Sequence, residues 1–320
     1  MSGWSLTTDR TVDTLVGRSP WSHRQMSQEF RYRVVDVFTE HVLEGNALAV
    51  FPDASAMDGE TMQRVARELN LAETAFVLPS TRNDCAARVR IFTPTKEMLF
   101  AGHPTIGTSY VLRDEGIIPA GTLDFALEEQ VGAVPVRVEP GERPTIWLRT
   151  PPITMGPVFD RALCANVLGL EVDDLLDMPP QLLNAGNPTI FIPVRTRDAV
   201  DRAWLDMAGA RQLRGPDREL MCVFIFTPTS NGAYSRMFAP EYGIVEDPAT
   251  GSSTGPLAAY MMRHGLAPDT PGTRWVSEQG TKMGRRSLLH VQLLAVNGEL
   301  AIDIGGHVAP LARATLCLPM

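Results

Sequence analysis

The chain carries, at residues 246–255, the stretch Glu246-Asp247-Pro248-Ala249-Thr250-Gly251-Ser252-Ser253-Thr254-Gly255. Two carboxylates lead directly into glycines and small hydroxyl residues, which open an apolar run. Glycines let a backbone approach a ligand closely, Ser and Thr cap helices, and the free N–H groups of a first helical turn attract anions. The stretch therefore predicts a pocket for a negatively charged group at a helix start. A carboxylate beside that pocket can move protons on the bound molecule.

The first half of the chain carries a diverged copy of this arrangement. Phe92-Thr93-Pro94 precedes a Gly-rich helix start at residues 102–108, just as Phe238-Ala239-Pro240 precedes the stretch quoted above. Upstream, Gly45-Asn46 and Gly186-Asn187 each open a strand-like apolar run, and they lie 47 and 52 residues before the two Phe-x-Pro motifs. A shared order at similar spacing indicates the duplication of one supersecondary unit.

Length and charge limit the classes of protein to consider. A chain of 320 residues is long for one core and sufficient for two domains of about 150 residues each. The net charge of −8 argues against a nucleic-acid or anionic-membrane partner, which would need a basic face. A basic patch around Arg285 and Arg286 is the alternative, and solvated surface charge is the simpler interpretation. No run approaches the 18 or so apolar residues of a membrane span.

The cysteines and histidines do not form a metal-site or disulfide pattern. Cys85, Cys164, Cys222 and Cys317 show no CxxC spacing and are expected to be reduced thiols of a cytosolic protein. The six histidines form no HxH or HExxH pattern, so no metal is expected. The sequence contains neither a GxxxxGK[ST] nor a GxGxxG motif, so neither ATP nor NAD is expected as a cofactor.

Residues 1–30 differ from the rest of the chain, because they lack both hydrophobic periodicity and the apolar core of a secretory signal. We interpret them as a mobile extension, or as the product of an upstream start codon with Met26 as the functional start. Asp9 and Asp13 count against a transit peptide. The Pro-rich run at residues 150–153 is the best linker candidate, which predicts domains at 31–149 and 150–320. As an alternative for the end of the chain, the last strand would pack on the first domain.

From residue 31 onward, short strands alternate with helices. The pattern predicts an amphipathic helix at residues 58–69 with Asp58 as N-cap, and further helices at 161–168 and 199–208. Two other helices, at 103–113 and 253–264, are apolar on most faces and are expected to be buried, with Tyr110 and Tyr260 in the core. Mostly antiparallel strands around a central buried helix, twice over, predict an α+β architecture.

The chain resembles the PhzF-like phenazine-biosynthesis isomerase family in a series of motifs that occur in the same order. The motifs are VDVFT at 35–39 with GNALAV at 45–50, NLAETAFV at 70–77, AGHPTIGT at 101–108, GN at 186–187, EDPATGS at 246–252 and EQG at 278–280. The resemblance implies a diaminopimelate-epimerase-like fold, in which two pseudo-symmetric domains each wrap a curved, mostly antiparallel sheet around a central helix. It also implies an active site in the cleft between them, a cytoplasmic homodimer and no cofactor.

The resemblance places the catalytic glutamate at Glu73, with His103 and Asp247 as its partners. From the residues alone, Glu73 would face solvent at a strand start, His103 would pack at a helix start and Asp247 would cap a turn. Epimerases of this fold use a pair of cysteines as acid and base, whereas this chain has His103 and Ser252 at the corresponding helix starts. Proton transfer by carboxylates is therefore the expected chemistry.

Further residues are expected to bind the substrate. Ser252 and the backbone of Gly102, Gly251 and Ser253 would hold a carboxylate at two facing helix starts. Gln279 and Asn46 are weaker candidates for the polar lining of the same site.

The predicted function is that of a cofactor-independent isomerase, which moves a proton on a small carboxylate resembling hydroxyanthranilate or an amino acid. One alternative is a non-catalytic binding protein that kept the fold. A hydrolase using Ser252 is another, although the chain lacks the GxSxG nucleophile elbow.

Overall fold

The computed structural model describes residues 27–214, 221–242 and 244–319. The helices in these ranges are α1 (Gly59–Leu69), α2 (Gly102–Asp114), α3 (Arg161–Val167), α4 (Arg197–Arg202), α5 (Met207–Ala210) and α6 (Gly251–Arg263), with 3-10 turns at Val172–Asp174, Pro240–Tyr242 and Thr281–Met283. The strands up to residue 149, the first half, are β1 (Ser27–Val37), β2 (Asn46–Phe51), β3 (Glu73–Leu78), β4 (Ala87–Phe92), β5 (Glu97–Met98), β6 (Asp124–Glu129), β7 (Gly132–Glu139) and β8 (Thr145–Arg149). Those of the second half are β9 (Thr154–Val158), β10 (Gln181–Asn184), β11 (Thr189–Pro193), β12 (Cys222–Thr229), β13 (Gly232–Ala239), β14 (Ile244–Asp247), β15 (Arg274–Gln279), β16 (Ser287–Val296), β17 (Glu299–Gly306) and β18 (Val308–Pro319).

The strand pairings repeat from one half to the other. In the first half the order is β1, β2, β3, β4, β6, β7, β8, and only β2–β3 and β4–β6 are parallel. In the second half the order is β10, β11, β12, β13, β15, β16, β17, with β11–β12 and β13–β15 as the parallel pairs. The Gly-Asn, Phe-x-Pro and helix-start motifs fall at matching places in this order. The predicted pair of pseudo-symmetric α+β halves is therefore confirmed.

The two halves join through strand pairing as well as through the chain. β8 pairs antiparallel with β17, so the final strands of the two repeated units lie side by side. β18 crosses back to pair with β1, while β9 pairs with β10 in the corresponding place of the second half. The last strand thus packs on the first half, which was one expected option. The boundary near Thr150 itself stays a proposal, supported by the strand-free run between β8 and β9.

Each half encloses one helix. Ten of the thirteen residues of α2 and ten of those of α6 are buried, as their apolar composition predicted. Gly107 shows how tightly α2 is enclosed, because a Cβ atom there would lie 2.6 Å from Leu48 and 2.8 Å from Val37. Tyr260 is fully buried as expected, and the partly buried Tyr110 packs against the core.

The surface helices follow the predictions at residues 58–69 and 161–168 and depart from them at residues 199–208. α1 begins after Asp58, whose carboxylate accepts the N–H of Thr61 at 2.8 Å, as expected of an N-cap. The prediction of a single helix at residues 199–208 is wrong, because the chain forms two short helices there, α4 and α5. The guanidinium of Arg236 donates hydrogen bonds to the carbonyl oxygens of Val200, Asp201 and Ala203, and α4 ends where these bonds form. Asp206 then caps α5.

The N-terminal boundary also differs from the prediction. β1 begins at Ser27, so four residues assigned to the extension pair with residues 316–319 of β18. Phe30 is buried in a cluster with Phe51, Phe76 and Phe92. Residues 1–26, including the proposed start at Met26, lie outside the described residues.

Two truncated chains should therefore behave differently. A chain beginning at Met26 keeps all of β1, and we expect its Tm and activity to be unchanged. A chain beginning at Arg31 loses the burial of the Phe30 ring, which is worth about 3 kcal/mol in a typical core. Its Tm in a thermal scan should fall by several degrees. Equal Tm values for the two chains would show that Phe30 does not stabilise the fold.

Three other sequence-based expectations concern the cysteines, the basic patch and a membrane span. Cys85, Cys164, Cys222 and Cys317 are all free thiols. The basic patch considered around Arg285 is neutralised, because that guanidinium lies 2.7 Å from Asp36 and Arg286 lies 3.7 Å from Glu278. No helix in the described part of the chain combines the length and apolar character needed to cross a membrane.

Candidate active site

The starts of α2 and α6 meet at the centre of the molecule. A Cβ atom on Gly102 would lie 2.8 Å from the Cα atom of Gly251 and from the backbone nitrogen of Ser252, so only glycine permits this approach. A Cβ atom on Gly251 would in turn lie 3.0 Å from the ring of Phe38. The positive ends of two helix dipoles therefore converge on one point, where they favour a bound anion.

A cavity of about 20 Å³ lies at this point. The first half contributes Glu73, Met98, Ala101, Gly102 and His103 to its lining. The second half contributes Asn187, Met237, Ala239, Tyr242, Ile244, Asp247, Ala249, Thr250, Gly251 and Ser252. The three side chains predicted to be catalytic thus lie around one cavity between the halves.

Glu73 and His103 form the first-half side of this site. Glu73 begins β3, and its Oε2 atom lies 3.2 Å from Nδ1 of His103. Burial raises the pKa of Glu73 well above its usual range, and the charge of Asp247 raises this pKa further. Burial lowers the pKa of His103 to about 3, so the imidazole is neutral near pH 7. The contact between them is therefore not an ion pair at neutral pH.

Asp247 supplies the second carboxyl group. The Thr250 hydroxyl donates to its Oδ2 atom, and Nδ2 of Asn46 donates to its Oδ1 atom at 2.7 Å. Burial raises the pKa of Asp247 to about 6, while these two hydrogen bonds oppose the rise. With a pKa of about 6, Asp247 is mainly ionised at neutral pH, and its charge is one cause of the raised pKa of Glu73. Two neighbouring carboxyl groups whose pKa values are raised toward neutrality are an arrangement suited to acid–base chemistry.

Asn46 and Gln279, which were expected to line the site, lie behind Asp247 instead. Asn46 also donates to the carbonyl of Ala249 at 3.0 Å, and its Nδ2 atom lies 3.3 Å from Nδ1 of His103. Gln279 donates to the backbone oxygen of Asp247 at 2.7 Å and to the Thr250 hydroxyl at 3.0 Å. Both amides hold the carboxylate in place rather than facing the cavity.

The two serines at the start of α6 have different surroundings. Ser252 lines the cavity, as predicted. Ser253 is turned away by about 100°, the rotation per residue of an α-helix. Its hydroxyl lies 3.0 Å from that of Thr189, and its N–H donates to the carbonyl of Thr250. The structure therefore does not bring Ser253 to the cavity.

Sequence reasoning missed several lining residues. Asn187 is the second-half counterpart of Asn46, and the repeated Gly-Asn pair was the signal that would have identified it. Tyr242 gave no such signal, because it lies in a short turn, and its hydroxyl donates to Oδ1 of Asn187 at 2.9 Å. Met98, Met237 and Ile244 form an apolar wall that appears only when β5, β13 and β14 come together.

The catalytic candidates do not follow the internal symmetry. In the pairing of β2 with β3, Glu73 lies opposite Leu48, two residues after Asn46. In the pairing of β11 with β12, Cys222 lies opposite Thr189, two residues after Asn187. Cys222 is therefore the counterpart of Glu73, and the register of β5 and β14 makes Met98 the counterpart of Asp247. Each half contributes one carboxyl group from a different position. In the described ranges, no group of three or more potential ligands among His, Cys, Asp and Glu is arranged to hold a metal ion.

Comparison with known proteins identifies the family. Residues 35–314 match the family model of phenazine biosynthesis-like proteins, PhzC-PhzF. The trans-2,3-dihydro-3-hydroxyanthranilate isomerase of Pseudomonas aeruginosa is 34% identical over 298 residues, which cover 88% of this chain and 98% of that protein. The crystal structure of a PhzF-family phenazine biosynthesis protein of Bacillus anthracis has a TM-score of 0.80 at 25% identity and covers 90% of this chain and 99% of that one.

A more distant structure shows how widely the fold is shared. A hydroxyproline epimerase of Agrobacterium vitis matches with a TM-score of 0.62 at 14% identity, over 92% of this chain and 94% of that one. The diaminopimelate-epimerase-like fold expected from the sequence is thereby confirmed. The chain belongs to the PhzC-PhzF family of phenazine biosynthesis-like proteins.

Proposed function

We propose that this protein is a cofactor-independent isomerase that moves a proton on a small carboxylate resembling hydroxyanthranilate or an amino acid. The isomerase class follows from the family and from relatives such as the Pseudomonas aeruginosa enzyme. The substrate and the roles of the residues are the proposal. The observation that carries it is the pair of buried carboxyl groups, Glu73 from the first half and Asp247 from the second, that line one anion-attracting cavity.

In this mechanism the substrate carboxylate binds where the two helices meet. Ser252 and the N–H groups near Gly102 and Gly251 surround that point, and each helix dipole adds about 0.3 to 1 kcal/mol. Ionised Glu73 then takes a proton from a substrate carbon. The carboxylic acid so formed returns the proton to a second carbon. One C–H bond breaks and another forms, so the reaction balances without an oxidant or a reductant.

The raised pKa of Glu73 suits this shuttle, because a group that must both take and give a proton works best with a pKa near the operating pH. Neutral His103 lines the cavity next to Glu73, where its imidazole would bond to a polar group of the substrate. Asp247 would accept a hydrogen bond from an amino or hydroxyl group of the substrate. A homodimer and a cytosolic location stay predictions from the sequence.

Turnover of a defined compound tests the proposal. The purified full chain should convert trans-2,3-dihydro-3-hydroxyanthranilate, or another member of a panel of small cyclic amino acids, to an isomer of unchanged mass. NMR spectroscopy of the reaction mixture would detect the moved double bond or the inverted centre. Binding of these compounds without any conversion would favour a binding protein. Hydrolysis together with labelling of Ser252 by a fluorophosphonate would favour a hydrolase.

Ser252→Ala should weaken substrate binding more than it slows the chemistry. Loss of one hydrogen bond to a carboxylate, about 1.4 kcal/mol, raises KM roughly tenfold and leaves kcat nearly unchanged. Ser253→Ala is the matched control, because it makes the same change one residue further along α6, away from the cavity. Steady-state kinetics of both variants would decide. An unchanged KM in Ser252→Ala would remove Ser252 from the carboxylate site.

A further inference from the structure

Glu129 is a buried carboxyl group outside the proposed mechanism. It is the last residue of β6, and only 5% of its surface is exposed. It lies on the same strand face as the fully buried Leu127, two residues earlier. Its Oε1 atom lies 2.5 Å from the hydroxyl of Thr105 in the first turn of α2, and its Oε2 atom has no hydrogen-bond partner.

The internal duplication identifies the counterpart of this residue. Glu129 ends β6 as Gln279 ends β15, and both lie behind the start of the enclosed helix of their half. Gln279 accepts the N–H of Thr250, the residue before α6, and donates to its hydroxyl. The backbone of Ala101, the residue before α2, lies close enough to Glu129 to lower the pKa of its carboxyl group. An amide always donates as well as accepts, whereas a carboxyl group donates only when it is protonated.

The Thr105 hydroxyl has too few hydrogens for its close contacts. It has one hydrogen but two close oxygens, the carbonyl of Ala101 at 2.8 Å and Oε1 of Glu129. The hydroxyl of Thr254, the matching residue in α6, donates its hydrogen bond to the carbonyl oxygen of Thr250 at 2.9 Å. If Thr105 does the same, the hydrogen between Thr105 and Glu129 must come from Glu129. An ionised Glu129 would leave one of the two close oxygen pairs without a hydrogen.

The charges on the surrounding elements do not compensate for an ionised Glu129. The charged side chains on β4, β6, β7 and α2, the elements around Glu129, have other partners. The ion pairs are Arg88 with Glu128, Arg90 with Glu97, Arg137 with Glu139 and Arg33 with Asp114, while Arg113 donates to carbonyl oxygens. His103, at the start of α2, is neutral. Burial raises the pKa of Glu129 to about 8, while Thr105 and the Ala101 backbone oppose this rise.

We propose that Glu129 is a protonated positioning residue, whose neutral carboxyl group replaces the amide of Gln279 and holds the start of α2 in place. That helix start carries Gly102 and His103, so Glu129 orients the first-half side of the cavity. The importance of this orientation for turnover rests on the proposed function. The protonation and the contact with the helix do not.

The proposal has a definite pH signature. In the folded chain Glu129 keeps its proton up to about pH 8, whereas an unfolded glutamate loses it near pH 4.3. The stability that this group contributes is therefore greatest below about pH 4.3 and is lost as the pH rises through about 8. Glutamine has no proton to lose, so E129Q escapes this loss.

Thermal unfolding of the full chain at a series of pH values tests the proposal. The Tm of E129Q minus that of the wild type should increase from about pH 5 to about pH 8 and then level off. E128Q is the matched control, because the neighbouring Glu128 bonds to Thr81 and Ser80 and has a pKa lowered to about 2. Its Tm difference should stay level over the same range. A level difference for E129Q as well would overturn the proposal.

Two further measurements separate this proposal from the proposed function. The infrared spectrum of the wild type minus that of E129Q near pH 6 should show the carbonyl band of a neutral carboxylic acid, and a carboxylate band there would overturn the assignment. E129A should lower the Tm by several degrees and, if the chain is an isomerase, also lower kcat, with both restored in E129Q. A loss of Tm in E129Q equal to that in E129A would overturn the positioning role. Absence of turnover in every variant would reject the proposed function and leave the Tm and infrared results as the test of Glu129.

Discussion

Replacing Glu73 with glutamine is expected to lower kcat by about 10² to 10⁴, the usual contribution of a general acid–base group. Glutamine keeps the shape and the hydrogen-bonding atoms of the side chain but cannot exchange a proton with the substrate. Because Glu73 is buried next to His103, the amide should fit the same space, so the fold and most of the substrate binding should persist. Steady-state kinetics with a circular dichroism check would measure both effects.

Cys222→Ser is the matched control for this experiment. Cys222 occupies the position in the second half that Glu73 occupies in the first, and it is also buried. We expect its replacement to have little effect on kcat. Inactivation of Cys222→Ser without loss of folding would reopen a thiol mechanism, and an unchanged kcat in Glu73→Gln would remove Glu73 from the chemistry.

Asp247→Asn is expected to lower kcat/KM by about tenfold to a hundredfold. Hydrogen bonds to a charged group contribute about 1.5 to 3 kcal/mol each, and the variant loses the charge that Thr250 and Asn46 solvate. It should also move the pH profile. The charge of Asp247 is one cause of the raised pKa of Glu73, so its removal lowers that pKa and shifts the limb of kcat/KM that reports Glu73 to lower pH.

The pH dependence of kcat/KM in wild type and variant measures this shift. Asp198→Asn makes the same chemical change at an exposed position on α4, where the side chain is 81% exposed, and should leave the profile in place. A limb that stays at the same pH in Asp247→Asn would contradict the electrostatic link between the two carboxyl groups. A shift to higher pH would reverse its sign.

Local patterns in the sequence predicted the repeated unit and the centre of the site. The Gly-Asn and Phe-x-Pro pairs and the Gly-rich helix starts are short segments whose backbone requirements follow from their own residues. The cap at Asp58 and the buried character of α2 and α6 are local in the same sense. The family resemblance then directed attention to Glu73, which composition alone would have left at the surface.

The differences arise where a distant residue decides the local structure. α4 ends because Arg236, on β13, donates hydrogen bonds to the carbonyl oxygens at the C-terminal end of that helix. Phe30 belongs to a strand because β18, at the opposite end of the sequence, returns to pair with it. Gln279 and Asn46 were recognised as polar site residues, but only the assembled sheet shows that they support Asp247 from behind.

Incorporation of solvent deuterium at the reacting carbon tests the central claim most directly. In the proposed mechanism one buried carboxyl group, Glu73, carries the proton between substrate and product. Wild-type enzyme turning over in heavy water should place deuterium at the carbon that receives the proton, because the Glu73 carboxyl group, once it has taken the substrate proton, exchanges it with solvent before it protonates the second carbon. In Glu73→Gln the incorporation should fall with kcat, by at least about 10². Incorporation that persists unchanged in Glu73→Gln would contradict the account and assign the proton to another group.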